Sequence, residues 1–321
     1  MYVSSPGQIF LFGEHAVVYG QPALLASIGL RTTVEAEPLD NRRIEVESEG
    51  LGEMSGKVEK IEEKWKIREK SGDITQLRYV TRVAELVFNY LDSGKGVSLT
   101  ISSELPPGSG LGSSSAVTTA AGVAVSSILG EDLEKDKIAQ LAYEAEVDIQ
   151  GAASHAGVSV ATHGGFLRVQ GDQLKNLENF SELDILIGYT GNYADTGKMV
   201  EKVRDLKESN PEIYGPIIKT IGKATEGGIE SLKDNNLEKV GVLMNANQNL
   251  LEGLDVSTPK LRNLIETARD FGALGAKITG AGGGGCMIAL GSKNIEKTVD
   301  AIEENDGVPI KTKIGLEGLR Y

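Results

Sequence analysis

Apolar positions along the chain fall into blocks of strand-like and helical spacing. Residues 8–12 (Gln-Ile-Phe-Leu-Phe) run into Gly13, Glu14 and His15, which predicts a short strand entering a turning loop. Residues 24–37, rich in Thr and Val toward their end, predict a second strand. Within 79–91, Val80, Val83, Ala84, Val87, Phe88 and Leu91 recur on one helical face, and Ser93-Gly94 supplies a stop. A strand at 97–101, a loop at 106–115 and a small, apolar, buried helix at 116–129 come next, so the local order is strand, glycine loop, helix. A helix at 133–148, a loop at 151–157 and strand character over 159–169 complete a part that should close near residue 180. Residues 40–73 break the pattern: Lys, Arg and Glu crowd 57–70, which reads as a solvated helical or loop face.

Beyond residue 180, 183–188 reads as the first strand of a second unit. Helices are expected at 196–207, 211–234, 237–254 and 258–271, the last with Ser257 or Thr258 as cap and Pro259 in its first turn. Strands at 276–279 and 286–290, a helix at 295–304 and a strand at 308–314 finish the chain. The expected organisation is two closely packed domains, 1–180 and 181–321, without internal repeat or low-complexity linker.

Composition narrows the class. A chain of 321 residues, 40% of them hydrophobic, buries a substantial core and is long enough for two domains. The single cysteine, Cys286, allows no internal disulfide, and the start lacks a basic stretch followed by a long apolar run, so a reducing, cytoplasmic setting is expected. No window approaches the roughly 18 apolar residues of a membrane helix. A formal net charge of -13 repels a nucleic-acid backbone, which excludes that partner class. It does not exclude a nucleotide, whose phosphates are held by backbone N–H groups and a metal ion.

The 40 glycines gather in a few loops. Pro106-Pro107-Gly108-Ser109-Gly110-Leu111-Gly112-Ser113-Ser114-Ser115 lies between a predicted strand and a predicted helix. Its glycines let several N–H groups converge on one anion, the helix start adds positive potential, and the serines can bond phosphate or ligate magnesium. The bland alternative is a flexible connector, although connectors seldom abut an apolar helix. No Gly-Lys-Ser/Thr follows at the spacing of the common P-loop, and the double proline is unusual for a dinucleotide turn. A second cluster, Lys277-Ile278-Thr279-Gly280-Ala281-Gly282-Gly283-Gly284-Gly285-Cys286, sits between two predicted strands, with an ordinary hairpin loop as its bland reading.

These two blocks, together with Pro6-Gly7-Gln8-Ile9-Phe10-Leu11-Phe12-Gly13-Glu14-His15-Ala16-Val17-Val18-Tyr19-Gly20, resemble the GHMP family of small-molecule kinases over essentially the whole chain. Within the family all three blocks look like those of the mevalonate kinases, and the compact length and the Val147 to Ser154 segment look like the archaeal ones. The resemblance implies an α+β fold with a ribosomal-protein-S5-like N-terminal domain and a ferredoxin-like C-terminal α/β sandwich carrying extra helices. It implies ATP and Mg2+ as cofactors, mevalonate as the small-molecule substrate and a homodimer as the assembly. Residue by residue, it places Pro107, Gly108, Ser109, Gly110, Leu111, Gly112, Ser113, Ser114 and Ser115 around the triphosphate, with Ala281, Gly282 and Gly283 lining the site from the second domain. Ser114 and Glu146 match the magnesium ligands, while Glu14, His15 and Thr196 match positions beside the substrate. For Glu146 an exposed helix carboxylate, and for Thr196 a helix cap, are the plain alternatives.

The chain departs from that pattern at two positions. The family's lysine after the first Pro-Gly is Gln8 here, and its catalytic aspartate falls on Gly157. Loss of both is electrostatically consistent, since removing one alone leaves the other charge unpaired. Three readings stay open. The enzyme works by positioning and magnesium, with the phosphate itself accepting the proton; His155 serves as a replacement base; or the chain is a weakened kinase that still binds its ligands. A kinase for another hydroxy acid or for phosphomevalonate is the rival enzyme reading. Cys286 is expected to be a packed strand residue.

Overall fold

The structure is a computed structural model and describes all residues from 1 to 321 except Gln76, Ala152, Ala153 and Lys293. Part of the loop expected at 151–157 therefore lies outside the described residues. The N-terminal part runs β1 (Tyr2–Phe12), β2 (Ala23–Leu39), β3 (Arg43–Ser48), β4 (Gly52–Ile61), β5 (Lys64–Gly72), α1 (Arg78–Tyr90), β6 (Gly96–Ser103), α2 (Ser113–Leu129), α3 (Lys135–Gln150), α4 (His155–His163), β7 (Phe166–Gln170) and β8 (Gln173–Leu177). The long β2 pairs with β1 along one edge; its other edge takes β7 along Ala23 to Ala26 and β6 along Thr32 to Leu39. The sheet continues through β3, parallel to β6, then β4 and β5. Helices α1, α2 and α3 cover it and enclose Val34, Ile44, Leu99, Phe88 and Ala120 in one core.

Two sequence expectations are corrected here. Residues 40–73 are not a solvated helical or loop face but contain the three strands β3, β4 and β5. Ile44 and Val46, Met54 and Val58, and Trp65 and Ile67 alternate inward, while the charged residues between them point to solvent. Side chains from α1 fasten the outermost strand: Glu85 accepts from Ile67 N–H (2.9 Å), and Asn89 bonds both the N–H and the C=O of Trp65 (2.8 Å each). Likewise 159–169 is not all strand, because helix α4 occupies its first half. Ser154 caps α4 by accepting from Ala156 N–H (3.2 Å), and Gly164 ends it. Val158, Val160 and Thr162 favour strand, but burial of Ala156 and Val160 against Ala23, Leu25 and Leu167 overrides that preference. His163, expected within a strand, closes the helix beside Asp136 (3.1 Å).

The C-terminal part follows its predicted order: β9 (Leu183–Tyr189), α5 (Thr196–Ser209), α6 (Pro211–Lys233), α7 (Leu237–Gly253), α8 (Pro259–Asp270), β10 (Ala273–Thr279), β11 (Cys286–Ser292), α9 (Ile295–Glu304) and β12 (Val308–Ile314). Its antiparallel order β10-β11-β9-β12 joins β2 through Ile314 opposite Ile28, so one mixed sheet crosses the molecule. A second core bridges the halves through Phe12, Ile28, Ile187, Val240 and Ile288. Helix α7 lies so close to β10 that a Cβ on Gly241 would stand 2.4 Å from Leu274 O.

After β12 the chain returns to its first strand. Ser4 and Arg320 exchange N–H···O bonds of 2.8 and 2.9 Å. The buried Arg31 guanidinium donates to Ser4 O (2.8 Å), Gly318 O (2.6 Å) and Glu317 O (3.2 Å), and burial lowers its pKa to about 10. No described helix is long and apolar enough to cross a membrane.

Candidate active site

The loop at 106–115 leaves β6 and opens α2 with Gly112 at the N-cap, φ 77°. That angle lies in the left-handed region, which a residue with a Cβ enters at a cost. The first N–H groups of a 17-residue helix thus face the loop. Ser109 holds a buried hydroxyl with no partner among the described residues, a donor left unspent. The second glycine cluster closes on this loop from β10 and β11, where a Cβ on Gly285 would come within 2.8 Å of Ser109 O. Beside the loop opens a cavity of about 700 Å³ lined by the loop and by Gln8, Arg78, Tyr79, Gln150, Tyr193 and Thr196; Ala281, Gly282 and Gly283 are not among its lining.

Glu146 projects from α3 toward the start of α2. It is buried and accepts from Ser115 Oγ (2.8 Å), with Ser114 the preceding residue on α2. Burial raises its carboxyl above the ordinary range, and the serine hydroxyls oppose that shift. One carboxylate and two hydroxyls beside an N–H-lined phosphate cradle form an all-oxygen donor set. It suits a hard divalent ion shared with phosphates rather than caged by protein. The structure places Glu146 against the start of α2, where its direct hydrogen-bond partner is Ser115 and Ser114 is the adjacent residue.

Glu14 and His15 are both buried and engaged by protein, and neither is among the residues that line this cavity. Glu14 forms a fully buried ion pair with Lys277 and accepts from Asn247 Nδ2 (3.3 Å). Burial pushes the carboxyl up and the amine down, and their mutual attraction opposes both shifts. His15, at φ 59°, has Nε2 2.8 Å from Ala281 O; a carbonyl only accepts, so Nε2 carries the hydrogen. Burial lowers the imidazole pKa. Ala281 is in this way tied to the N-terminal strand. Thr196 lines the cavity as the first residue of α5, but the cap is Asp195, which accepts from Lys198 N–H (3.0 Å).

Gln8 and Gly157 are neighbours. A Cβ on Gly157 would lie 3.0 Å from Gln8 Nε2 and 2.5 Å from Ser115 Oγ. His155 does not join them. Two residues earlier on the same helix, it points away, is exposed, and stacks on Tyr143 with ring centroids 3.4 Å apart. The expectation of His155 as a base at this centre is corrected by that geometry.

Sequence reasoning passed over Tyr193, which covers Gly108, and Lys277, whose partner Glu14 is 263 positions away. The exposed ring gave no periodic signal. The lysine stood in plain view ahead of the glycine cluster, but nothing local indicated its burial.

A strand, a glycine loop at a helix start, a buried carboxylate bonded to a serine of that helix and a second glycine loop packed on the first define a small-molecule kinase, and the chain belongs to the GHMP kinases. The family model for the GHMP kinases N terminal domain matches residues 78–165, and that for the GHMP kinases C terminal matches 229–307. Within the family its relatives are mevalonate kinases. The mevalonate kinase of Thermococcus sibiricus is 42% identical over 99% of this chain and 97% of its own. The solved Methanococcus jannaschii mevalonate kinase superposes with a TM-score of 0.83 at 29% identity, covering 98% of each chain. The L. major mevalonate kinase in complex with R-mevalonate superposes with a TM-score of 0.82 at 26% identity, covering 98% of this chain and 96% of that one. The two-domain α+β architecture implied by the motifs is thereby established.

Proposed function

We propose that the chain transfers the γ-phosphoryl group of ATP to the primary hydroxyl of mevalonate, as a cytoplasmic enzyme of isoprenoid biosynthesis. The observation that carries the reading is the pairing of the phosphate loop at the α2 N-terminus with the buried Glu146, set in a chain similar to mevalonate kinases from end to end. In this reading the loop N–H groups and Ser109 take the phosphates, Ser114 and Glu146 hold Mg2+, and the glycine cluster at 280–285 closes the cleft. Mg2+ bound there neutralises charge on the transferring group. Residues 1–180 and 181–321 serve as its two domains, and a homodimer is the proposed assembly. The two family-model spans fall one on each side of that boundary.

A coupled ADP-release assay with mevalonate, alongside calorimetric ATP binding, tests this. Turnover yielding a phosphorylated acid supports it. Nucleotide binding without turnover would instead favour a kinase-derived binding protein, the reading that Gln8 and Gly157 keep in play.

A further inference from the structure

The amide of Gln8 is held in place and engaged by nothing. Its backbone N–H donates to Leu111 O (2.9 Å), which fastens β1 to the phosphate loop. The side chain lies under the helix start, where a Cβ on Gly112 would stand 2.7 Å from Cγ and 2.9 Å from Cδ. Oε1 is buried without a partner, and no hydrogen bond reaches Nε2 among the described residues. Ser115 Oγ, which with Gln8 Nε2 crowds the position of a Cβ on Gly157, donates to Glu146. An unpaired buried amide oxygen is costly, and its persistence beside the cleft points to a ligand group that completes it. A side chain at 157 would claim the same volume, so the chain holds one neutral group where the motif pattern calls for a charged pair.

We propose that the Gln8 amide receives the attacking hydroxyl of the acceptor, an inference that rests on the kinase reading above. The terminal amide torsion is broad and roughly two-fold, so a half-turn presents Oε1 to the cleft. There it accepts the hydroxyl hydrogen and aims the oxygen lone pair at the phosphorus held over Gly112 to Ser115. The hydroxyl oxygen forms the new P–O bond while the bond from the γ-phosphorus to the bridging oxygen breaks, its electron pair leaving on ADP. A neutral amide takes no proton. The hydroxyl proton passes to an oxygen of the transferring phosphoryl group and then to water, which a loose transition state tolerates.

The test compares two ligands by calorimetry on the full chain, with Mg2+ and a non-hydrolysable ATP analogue present: mevalonate, and 3-hydroxy-3-methylpentanoate, the same acid without the primary hydroxyl. The native chain should prefer mevalonate about tenfold, the worth of one hydrogen bond to an otherwise unpaired group. Gln8→Met keeps length and removes both polar ends; it should bind the two acids within about twofold of each other and bind the ATP analogue as before. Gln8→Ala carries the same comparison if the methionine variant does not bind the analogue. A preference for mevalonate that survives in these variants overturns the proposal and leaves the kinase reading standing. No mevalonate binding by the native chain overturns the acceptor assignment, and this proposal with it.

Discussion

At Gln8 and Gly157 two side-chain positions compete for one space, and their effects should not add. Gly157→Asp alone places a buried carboxylate against the Gln8 amide and Ser115, and urea unfolding should report a loss of about 1–3 kcal/mol. Combined with Gln8→Lys, the same change regains a counter-ion. Stability should recover and kcat rise by roughly 10²-fold or more if a base limits the rate; an unchanged kcat would mean that orientation limits it instead. His15 bears on pH. Burial holds its folded-state pKa below the ordinary 6.5, so the unfolded chain protonates first as pH falls. Stability attributable to His15 is full above about 6.5 and is lost on acidification toward the depressed folded value. Denaturant titrations at pH 7.5 and 5.5 should show that loss in the native chain and a smaller one in His15→Gln, which keeps an N–H for Ala281 O. The motif pattern placed Gln8, Gly157, Ser114 and Glu146 near one another. It could not say that Glu14 and His15 face inward, because burial by β10 and α7 is set by residues far along the chain.

Elements differ in how openly their spacing declares them. The order of helices α5 to α8 was legible in the sequence, α8 from its Thr258 cap and Pro259 at the helix start. Strands β3 to β5 also carried a period of two, in Ile44 and Val46 and in Trp65 and Ile67, but dense charge on the outer face masked it. Helix α4 misled for the opposite reason, since its valines and threonine favour strand until packing against β2 and β7 decides. The contact of α7 with β10 depends on two glycines meeting backbone to backbone. Gly241→Ala must push the helix outward, and thermal or urea unfolding should show a loss of about 1–3 kcal/mol. Cys286 lies within β11 with burial raising its thiol pKa to about 12, so thiol reagents should label it only on unfolding.

Across the whole molecule, the mixed sheet and the shared core bind the two halves into one body, and the clasp of Arg31 on Ser4, Glu317 and Gly318 secures the seam. Arg31→Met keeps much of the buried stem but takes the guanidinium donors from Gly318 O and Glu317 O, while Ser4 O keeps Arg320 N–H; it should cost about 2–4 kcal/mol in chemical unfolding, with protease cleavage appearing first near residue 316. The same clasp dictates an order of assembly. β1 carries Gln8 and Glu14 lies just past it, yet one edge of β1 is completed only by Arg320, nearly a chain length later. Such distant pairing slows folding, because the loop must close before the contact repays it. On a ribosome, β1 emerges well before residues 317–320 and waits with part of its edge open until they follow. The phosphate-binding cleft that β1 underlies is then among the last features to mature, and nucleotide binding would serve as a late marker of completed folding.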